Sequence, residues 1–431
     1  MTNIQFVNHA SYILHHDNIS LITDPWIEGY AFHDGWSLIE STKLLYSDFS
    51  KITHIWFSHE HPDHFSPQNL RSIPPEVRHN ITILFQETKD KKVINFCKQL
   101  DFKLCIELQT DWYDLSDEVK ILNRPHSDGD SWLCIKAGDF TVLNINDCVL
   151  ENDKQIHKIK NQIKSEKIDV LFTQFSYANW VGNKEDKESR RKYAAKKMNE
   201  IERQVSIFNP VHTIPFASFV WFCHEENFYM NDEINKIDFV FNHLKVNLNT
   251  IPVILFPDDI WEISTKHDSE ASVQKWVNSY NTNIVSEKTV KPLFIKPEEL
   301  IKLGNRYVNT LKRNNTKWMY FFLKPSNIYV QDHECSYRLS LQGVERNEID
   351  QDYCDILMSS DSLQYCFKFL WGGATTRING RYQITKYGKF YNWKLYFQTS
   401  ELNNHGERFG ILFILDSVYR ILRRKIYPTN S

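Results

Sequence analysis

None of the eight cysteines in the 431-residue sequence is paired as C-x-x-C, and none stands in a C-x-H or C-x-x-H pair. The first absence argues against a zinc ribbon or a thioredoxin-type redox site. The second excludes a Rieske iron–sulfur cluster within these residues. Cys97, Cys105, Cys134, Cys148, Cys223, Cys335, Cys354 and Cys366 are thinly spread and read as free thiols of a reducing, cytoplasmic compartment. No basic-apolar-small signal pattern opens the chain, and no apolar run reaches the ~18–20 residues of a spanning helix, so no integral membrane association is expected. Charge of one sign is also lacking. The 51 Lys and Arg against 54 Asp and Glu leave a net −3, which offers no counter-surface to nucleic acid. Glycine is scarce, at 13 residues, whereas aromatic residues make up 14% and histidines number 17. A large core is therefore expected, and the chemistry has to be sought in where the histidines fall.

The first half alternates short β-branched or aromatic runs with helical stretches. Strands are expected at Ile19–Thr23, Ile52–Phe57, Ile81–Phe85, Trp132–Ile135, Phe140–Asn146, Val170–Thr173 and Thr213–Phe216. The charged stretch Lys184–Val205, without Pro or Gly, predicts one amphipathic helix. From 266 to 300 the chain turns polar and reads as a connector, with room for a short helix at Ala271–Val277. Beyond it, Glu298–Lys312 and Asp355–Phe369 predict helices. Trp318–Leu323, Ser336–Leu341 and Trp393–Phe397 predict extended runs, and Asn379-Gly380 a hairpin turn. Arg408–Ile426 predicts an apolar-faced helix with basic residues in its last turn.

His59-Glu60-His61-Pro62-Asp63-His64 follows a strand and offers three imidazoles and two carboxylates within six residues, a density suited to metal ligation rather than to core packing. Pro62 favours a turn at this point. Asp147 ends an apolar strand, where an uncompensated carboxylate would be costly, so a cation is its natural partner. Asp24 ends an earlier strand and suits the orientation of a ligand histidine through its other ring nitrogen. His126 lies in a polar, turn-rich run, and His9 falls at the rim of the same edge.

In this arrangement the sequence resembles the metallo-β-lactamase superfamily, and more narrowly the metallo-β-lactamase-like domain of CMP-N-acetylneuraminate hydroxylases. The resemblance rests on Thr23-Asp24-Pro25-Trp26, Ile55–His64, His126-Ser127-Asp128-Gly129-Asp130-Ser131, Leu143–Cys148 and Pro215–Phe219 with His224. It implies an α/β fold: a metallo-β-lactamase αβ/βα sandwich over residues 1–265, followed after the connector by a smaller α+β C-terminal domain over 301–431. It also implies two divalent metal ions (iron, zinc or manganese). His59, His61 and His126 would hold one; Asp63, His64 and a late histidine would hold the other, with Asp147 as the bridge. Many superfamily members carry that late histidine directly after an Ile-Pro-type strand. Here Ile214-Pro215-Phe216 runs into Ala217; the hydroxylase-like pattern also shows a histidine at His224, so the resemblance implies His224 as the candidate, with His212 a weaker one.

Two reactions follow, of which the first, hydrolysis, is expected ahead of the second on the superfamily's base rate alone. In a hydrolase acting on a small polar substrate, water is activated between the two ions while Asp147 bridges them and Asp63 handles the proton. In a di-iron oxygenase acting on a nucleotide-sugar or a biosynthetic small molecule, electrons come from a separate partner protein, because no Rieske cluster is present in these residues. A binding protein with a decayed site is the third reading. Trp36, Tyr177, Trp180 and Phe219, together with Trp26 and Trp221, could wall a substrate pocket or serve as core. Asp258 and Asp259 read more simply as a helix-start signal. The C-terminal pattern from Ser359 to Arg381 is similar to sterol-carrier-type domains, which leaves a packing, lid or ligand-binding role for that module.

Overall fold

The computed structural model describes residues 1–164 and 167–410 and divides into two units. The first comprises Met1–Ala178, Lys187–Cys223 and Met230–Lys288; the second comprises Asn179–Asp186, His224–Tyr229 and the described residues from Thr289 onward.

Two seven-stranded sheets form the frame of the first unit. In the first sheet the strands lie in the order Ile260–Glu262, Thr2–Asn8, Ser11–His16, Ile19–Thr23, His54–Trp56, Thr82–Gln86, Leu104–Leu108. The antiparallel meander of its early strands becomes parallel from Ile19–Thr23 onward. The second sheet runs Ile251–Pro252, His212–Phe216, Val170–Gln174, Phe140–Asn144, Ser131–Ala137, Val119–Pro125, Trp112–Asp114. It is parallel across its first four strands and antiparallel beyond.

Strand alternation explains the layering. Ile55 and Phe57 point to one face of the first sheet and pack with Leu70 of helix Pro67–Ser72, with Ile73 just past its end, and with Val93 and Ile94 of helix Lys92–Gln99. Trp56, between them, points to the other face and donates from Nε1 to Asn123 Oδ1 of the second sheet at 3.0 Å. Tyr12 stacks on Phe172 across the same interface, with ring centroids 4.2 Å apart. The two sheets thus face each other over an aromatic core, as the expected αβ/βα sandwich requires.

The expected connector is only partly one. Helix Ser269–Asn283 belongs to the first unit, where Val273, Trp276 and Tyr280 form its buried face and Trp276 stacks on Phe219 at 4.1 Å. The long charged helix spans Lys187–Phe208, slightly later than expected.

In the second unit a five-stranded sheet lies in the order Gly343–Asn347, Cys335–Ser340, Ser326–Val330, Ile356–Met358, Gln383–Ile384. Its core draws on helices Pro297–Asn314, Ser360–Lys368 and Phe390–Asn404. Three expectations are corrected here. Trp393–Phe397 is helical, because Trp393, Tyr396, Phe397 and Ser400 bury one face at helical spacing. Asn379-Gly380 is not a hairpin: Gly380, at φ +68°, ends helix Gly372–Asn379 and donates to Thr376 O. Trp318–Leu323 holds a short helix, Met319–Phe322. The helix expected at Arg408–Ile426 lies almost wholly outside the described residues.

Candidate metal centre

Strand His54–Trp56 ends two residues before Ser58, and the chain then turns through His59–His64 into a helix capped by Ser66 and opened by Pro67. Ser58 is the anchor of this turn. Its N–H donates to Asp24 Oδ1 at 2.7 Å, and its carbonyl accepts from Ser131 Oγ at 2.7 Å and Gln86 Nε2 at 3.2 Å. Three strand ends therefore fix the loop before any ligand is considered.

Asp24 is fully buried, and its Oδ2 accepts from Asn146 Nδ2 at 2.5 Å and lies 3.1 Å from His64 Nδ1. A carboxylate can only accept, so the His64 proton sits on Nδ1 and Nε2 is left to ligate. That Nε2 lies 3.3 Å from both Asp63 Oδ2 and Asp147 Oδ2. His9 Nε2 approaches the same Asp63 oxygen at 3.3 Å. Asp147 Oδ1 accepts from Gln174 Nε2 at 3.2 Å, which leaves its Oδ2 directed at His64. On the other side, His59 Nε2 and His61 Nδ1 face one another at 2.8 Å, and Ser58 Oγ holds His59 Nδ1 at 2.8 Å.

The electrostatics match a cation site. Burial pushes His59 well below the usual imidazole range and lowers His61, so both carry free lone pairs. Burial also opposes charge on His64, but Asp63, Asp147 and Asp24 outweigh it and hold that ring well above the ordinary value. Asp63, despite burial, is held well below the carboxylate range by His64 and His9. Buried Asp63 Oδ1 has no hydrogen-bond partner among the described residues, an arrangement that is costly without a cation. Two groups have donor atoms all within 4.8 Å of one another: His9, Asp63 and His64, and His59, His64 and Asp147. With no thiolate among them, the donors suit a hard or borderline divalent ion.

The remaining expected site residues fall elsewhere. His126 Nε2 bonds Val149 O at 3.0 Å, while Asp130, four residues on, brings Oδ1 within 3.7 Å of His59 Nε2. His224 belongs to the second unit, where its Nδ1 lies 3.4 Å from Glu226 Oε2 beside buried Arg381. His212 Nδ1 lies 3.2 Å from Asp169 O. The aromatic residues expected at a pocket wall are largely core. Trp36 packs on Phe32 and Phe222, Phe219 on Trp276, and Tyr177 donates to Met230 O; Trp180 packs on Tyr382 in the second unit. The rings that do touch the histidines are Phe32, 5.6 Å from His61, and Trp26, 5.9 Å from His9. Asp258 accepts from Gln5, and Asp259 bonds Ser272 and Lys275. Sequence reading assigned no role to Ser58, Asn146, Gln174 or Asp130, although Ser58, Asn146 and Asp130 lie in the stretches that carry the resemblance.

Comparison with known proteins agrees with this geometry: residues 3–189 match the family model described as the beta-lactamase superfamily domain. Over those residues the chain is similar to that superfamily's domain. A chain from Mycobacterium tuberculosis (strain H37Rv) that carries the name of a Rieske 2Fe-2S iron–sulfur protein is 23% identical over 250 residues, 53% of this chain and 46% of its own length. The cytidine monophosphate-N-acetylneuraminic acid hydroxylase of Asterias rubens is 22% identical over 387 residues, 83% of this chain and 54% of its own. The chain thus spans about half the length of the curated relatives it matches. Among solved structures, CmlA, a diiron β-hydroxylase from Streptomyces venezuelae, aligns with TM-score 0.42 and 14% identity over 61% of this chain and 54% of its own. Isothiocyanate hydrolase from Delia radicum gut bacteria aligns with TM-score 0.41 and 11% identity over 60% of this chain and 98% of its own.

Proposed function

We propose that the chain is a metal-dependent enzyme with two adjacent cation positions, and that it hydroxylates a small polar molecule with electrons delivered by a separate protein. The observation that carries the metal reading is the convergence of His59, His61, Asp63, His64 and Asp147, with His64 Nε2 3.3 Å from two carboxylates. His59 and His61 would hold one ion. Asp63 and His64 would hold the other, and Asp147 would lie between them. Bound there, divalent ions supply Lewis acidity and, as iron, electrons to oxygen. The chain's own part is orientation. Ser58 Oγ and Asp24 fix the rings of His59 and His64, and Gln174 fixes the Asp147 carboxylate, so the ligating atoms are set before an ion arrives. Asp147, at 21% exposure the most open of the three carboxylates Asp24, Asp63 and Asp147, marks the side from which a substrate would enter.

Hydroxylation is put ahead of hydrolysis because the match to the Asterias rubens hydroxylase runs through 83% of this chain, well beyond residues 3–189. Hydrolysis is the second reading, favoured by one observation: these 431 residues hold no C-x-H pair, and hydrolysis needs no electron source. Two measurements separate the readings. Two irons per chain after aerobic purification, with oxygen uptake by the chemically reduced protein, support hydroxylation. Zinc or manganese in place of iron, with no oxygen uptake and with turnover of an activated ester, refutes it in favour of hydrolysis.

A further inference from the structure

The second cation position lacks the histidine that the resemblance places directly after strand His212–Phe216, where this chain has Ala217. The structure brings another imidazole to that point from the opposite sheet. His9 lies in the tight connection between strands Thr2–Asn8 and Ser11–His16, where the register shifts between Phe6 and Asn8. Its backbone takes a left-handed conformation, φ +37°, held by Asn8 Oδ1 accepting from His9 N–H at 2.9 Å. Buried Asn8 is itself fixed, donating from Nδ2 to Glu40 O at 2.7 Å. A non-glycine residue in this conformation is uncommon, although histidine tolerates it better than most, and here the Asn8 hydrogen bond and the register shift hold it.

The consequence is a specific placement. The His9 carbonyl accepts from Ala217 N–H at 2.9 Å, so the two residues are direct neighbours, one from each sheet. The His9 ring is 2% exposed and lies between the rings of Trp26 and His64, with centroids 5.9 and 5.8 Å away. Its Nε2 is 3.3 Å from Asp63 Oδ2, and its buried Nδ1 has no hydrogen-bond partner among the described residues. A purely structural histidine so deeply buried would be expected to satisfy both nitrogens.

We propose that His9 is the third protein ligand of the cation held by Asp63 and His64, replacing the histidine absent at position 217. The assignment rests on the two-cation reading above and fixes the ligand set of one of its positions. Cobalt(II) is the probe, read by equilibrium dialysis and by its visible absorbance. The wild-type chain takes up two equivalents, and His9→Ala takes up about one fewer with weaker visible bands. Adding Ala217→His to His9→Ala restores the missing equivalent. Ala217 is itself left-handed, at φ +49°, a region that histidine tolerates better than most side chains. His9→Gln, which keeps a polar group of similar length, serves as the folding control, with circular dichroism and thermal melting matching the wild type. Full cobalt uptake at unchanged affinity in His9→Ala overturns the assignment while leaving the two-cation reading intact. A wild-type chain that takes up no cobalt overturns both.

Discussion

Asp24→Asn isolates one charge in the support of the centre without disturbing the backbone. Asp24 sits at φ +39°, a conformation that Asn adopts as readily as Asp, so the substitution adds little strain. If the remaining side-chain oxygen keeps the Ser58 N–H bond, the new amide nitrogen faces two donors, Asn146 Nδ2 and His64 Nδ1. Two hydrogen bonds to an ionised acceptor are lost, each worth about 1.5–3 kcal/mol. Relief from burying the Asp24 charge offsets part of this, leaving a destabilisation of about 2–4 kcal/mol in the metal-free chain. The effect on metal is separable. His64 loses the group that holds its proton on Nδ1, and removal of such an orienting partner costs about 10–100-fold in affinity. Urea denaturation with and without added cobalt measures both quantities. Cobalt affinity within about twofold of wild type, in a variant that has lost stability, would show that Asp24 supports the fold but not the ligand, and the reasoning would fail.

Cobalt uptake rises with pH. Carboxylates hold the metal-free His64 ring well above its ordinary value, so binding must displace a proton and weakens as pH falls below that raised value; pH-independent uptake would refute this. By the same linkage, the metal-free chain keeps the stability from the His64 ion pairs below about pH 6.5 and loses it as pH rises through the raised value, which melting at several pH values will show. Trp276→Ala removes the ring that stacks on Phe219 and the Nε1 donor to Leu255 O, and should cost about 3–5 kcal/mol in urea denaturation. A loss under about 1 kcal/mol would mean that helix Ser269–Asn283 is not part of the first unit's core. In the second unit, Arg381→Met strands Glu226 and Asp361, which Arg381 reaches at 2.8 and 2.6 Å. A loss of about 3–5 kcal/mol is expected, and the double replacement of both carboxylates by their amides should recover part of it.

How far the sequence could be read depended on whether the relevant partners were local. His59, His61, Asp63 and His64 lie within one turn after a strand, so their convergence follows from spacing alone. Asp24 directly follows strand Ile19–Thr23, and Asp147 was read from an apolar run expected to reach Asn146, which the structure ends at Asn144, three residues before it. His9 reads as a rim residue because its ring direction is set by a register shift and a left-handed φ, neither of which leaves a compositional mark. His224 came from the resemblance and not from spacing, and its Nδ1 lies 3.4 Å from Glu226, two residues on. Helix Ser269–Asn283 hides its buried stripe of Val273, Trp276 and Tyr280 among polar neighbours, so mean composition suggests a connector. The aromatic residues left both readings open for a different reason: the partners of Phe219 and Trp36, Trp276 and Phe222, are remote in the chain or on a neighbouring strand.

Charge balance connects these observations. Asp24 and Asp63 are buried, whereas the Asp147 and Asp130 side chains keep 21% and 13% of their exposure. Asp24 is met by two donors and the Ser58 N–H, so its charge is spread over hydrogen bonds. Asp63 has no comparable set: its Oδ2 faces only the imidazoles of His9 and His64, and its Oδ1 has no partner among the described residues. In a metal-free chain, a proton on His64 is the charge available to offset it. A divalent ion would replace that proton and also satisfy the idle Asp63 oxygen, so ligation and burial favour the same species. The His59–His61 side differs, because its two imidazoles are held neutral by burial and its nearby carboxylates, Asp130 and Asp147, are partly solvated. Under the two-cation reading, the ion beside Asp63 therefore compensates a charge the fold has already buried. The ion beside His59 answers to no such need.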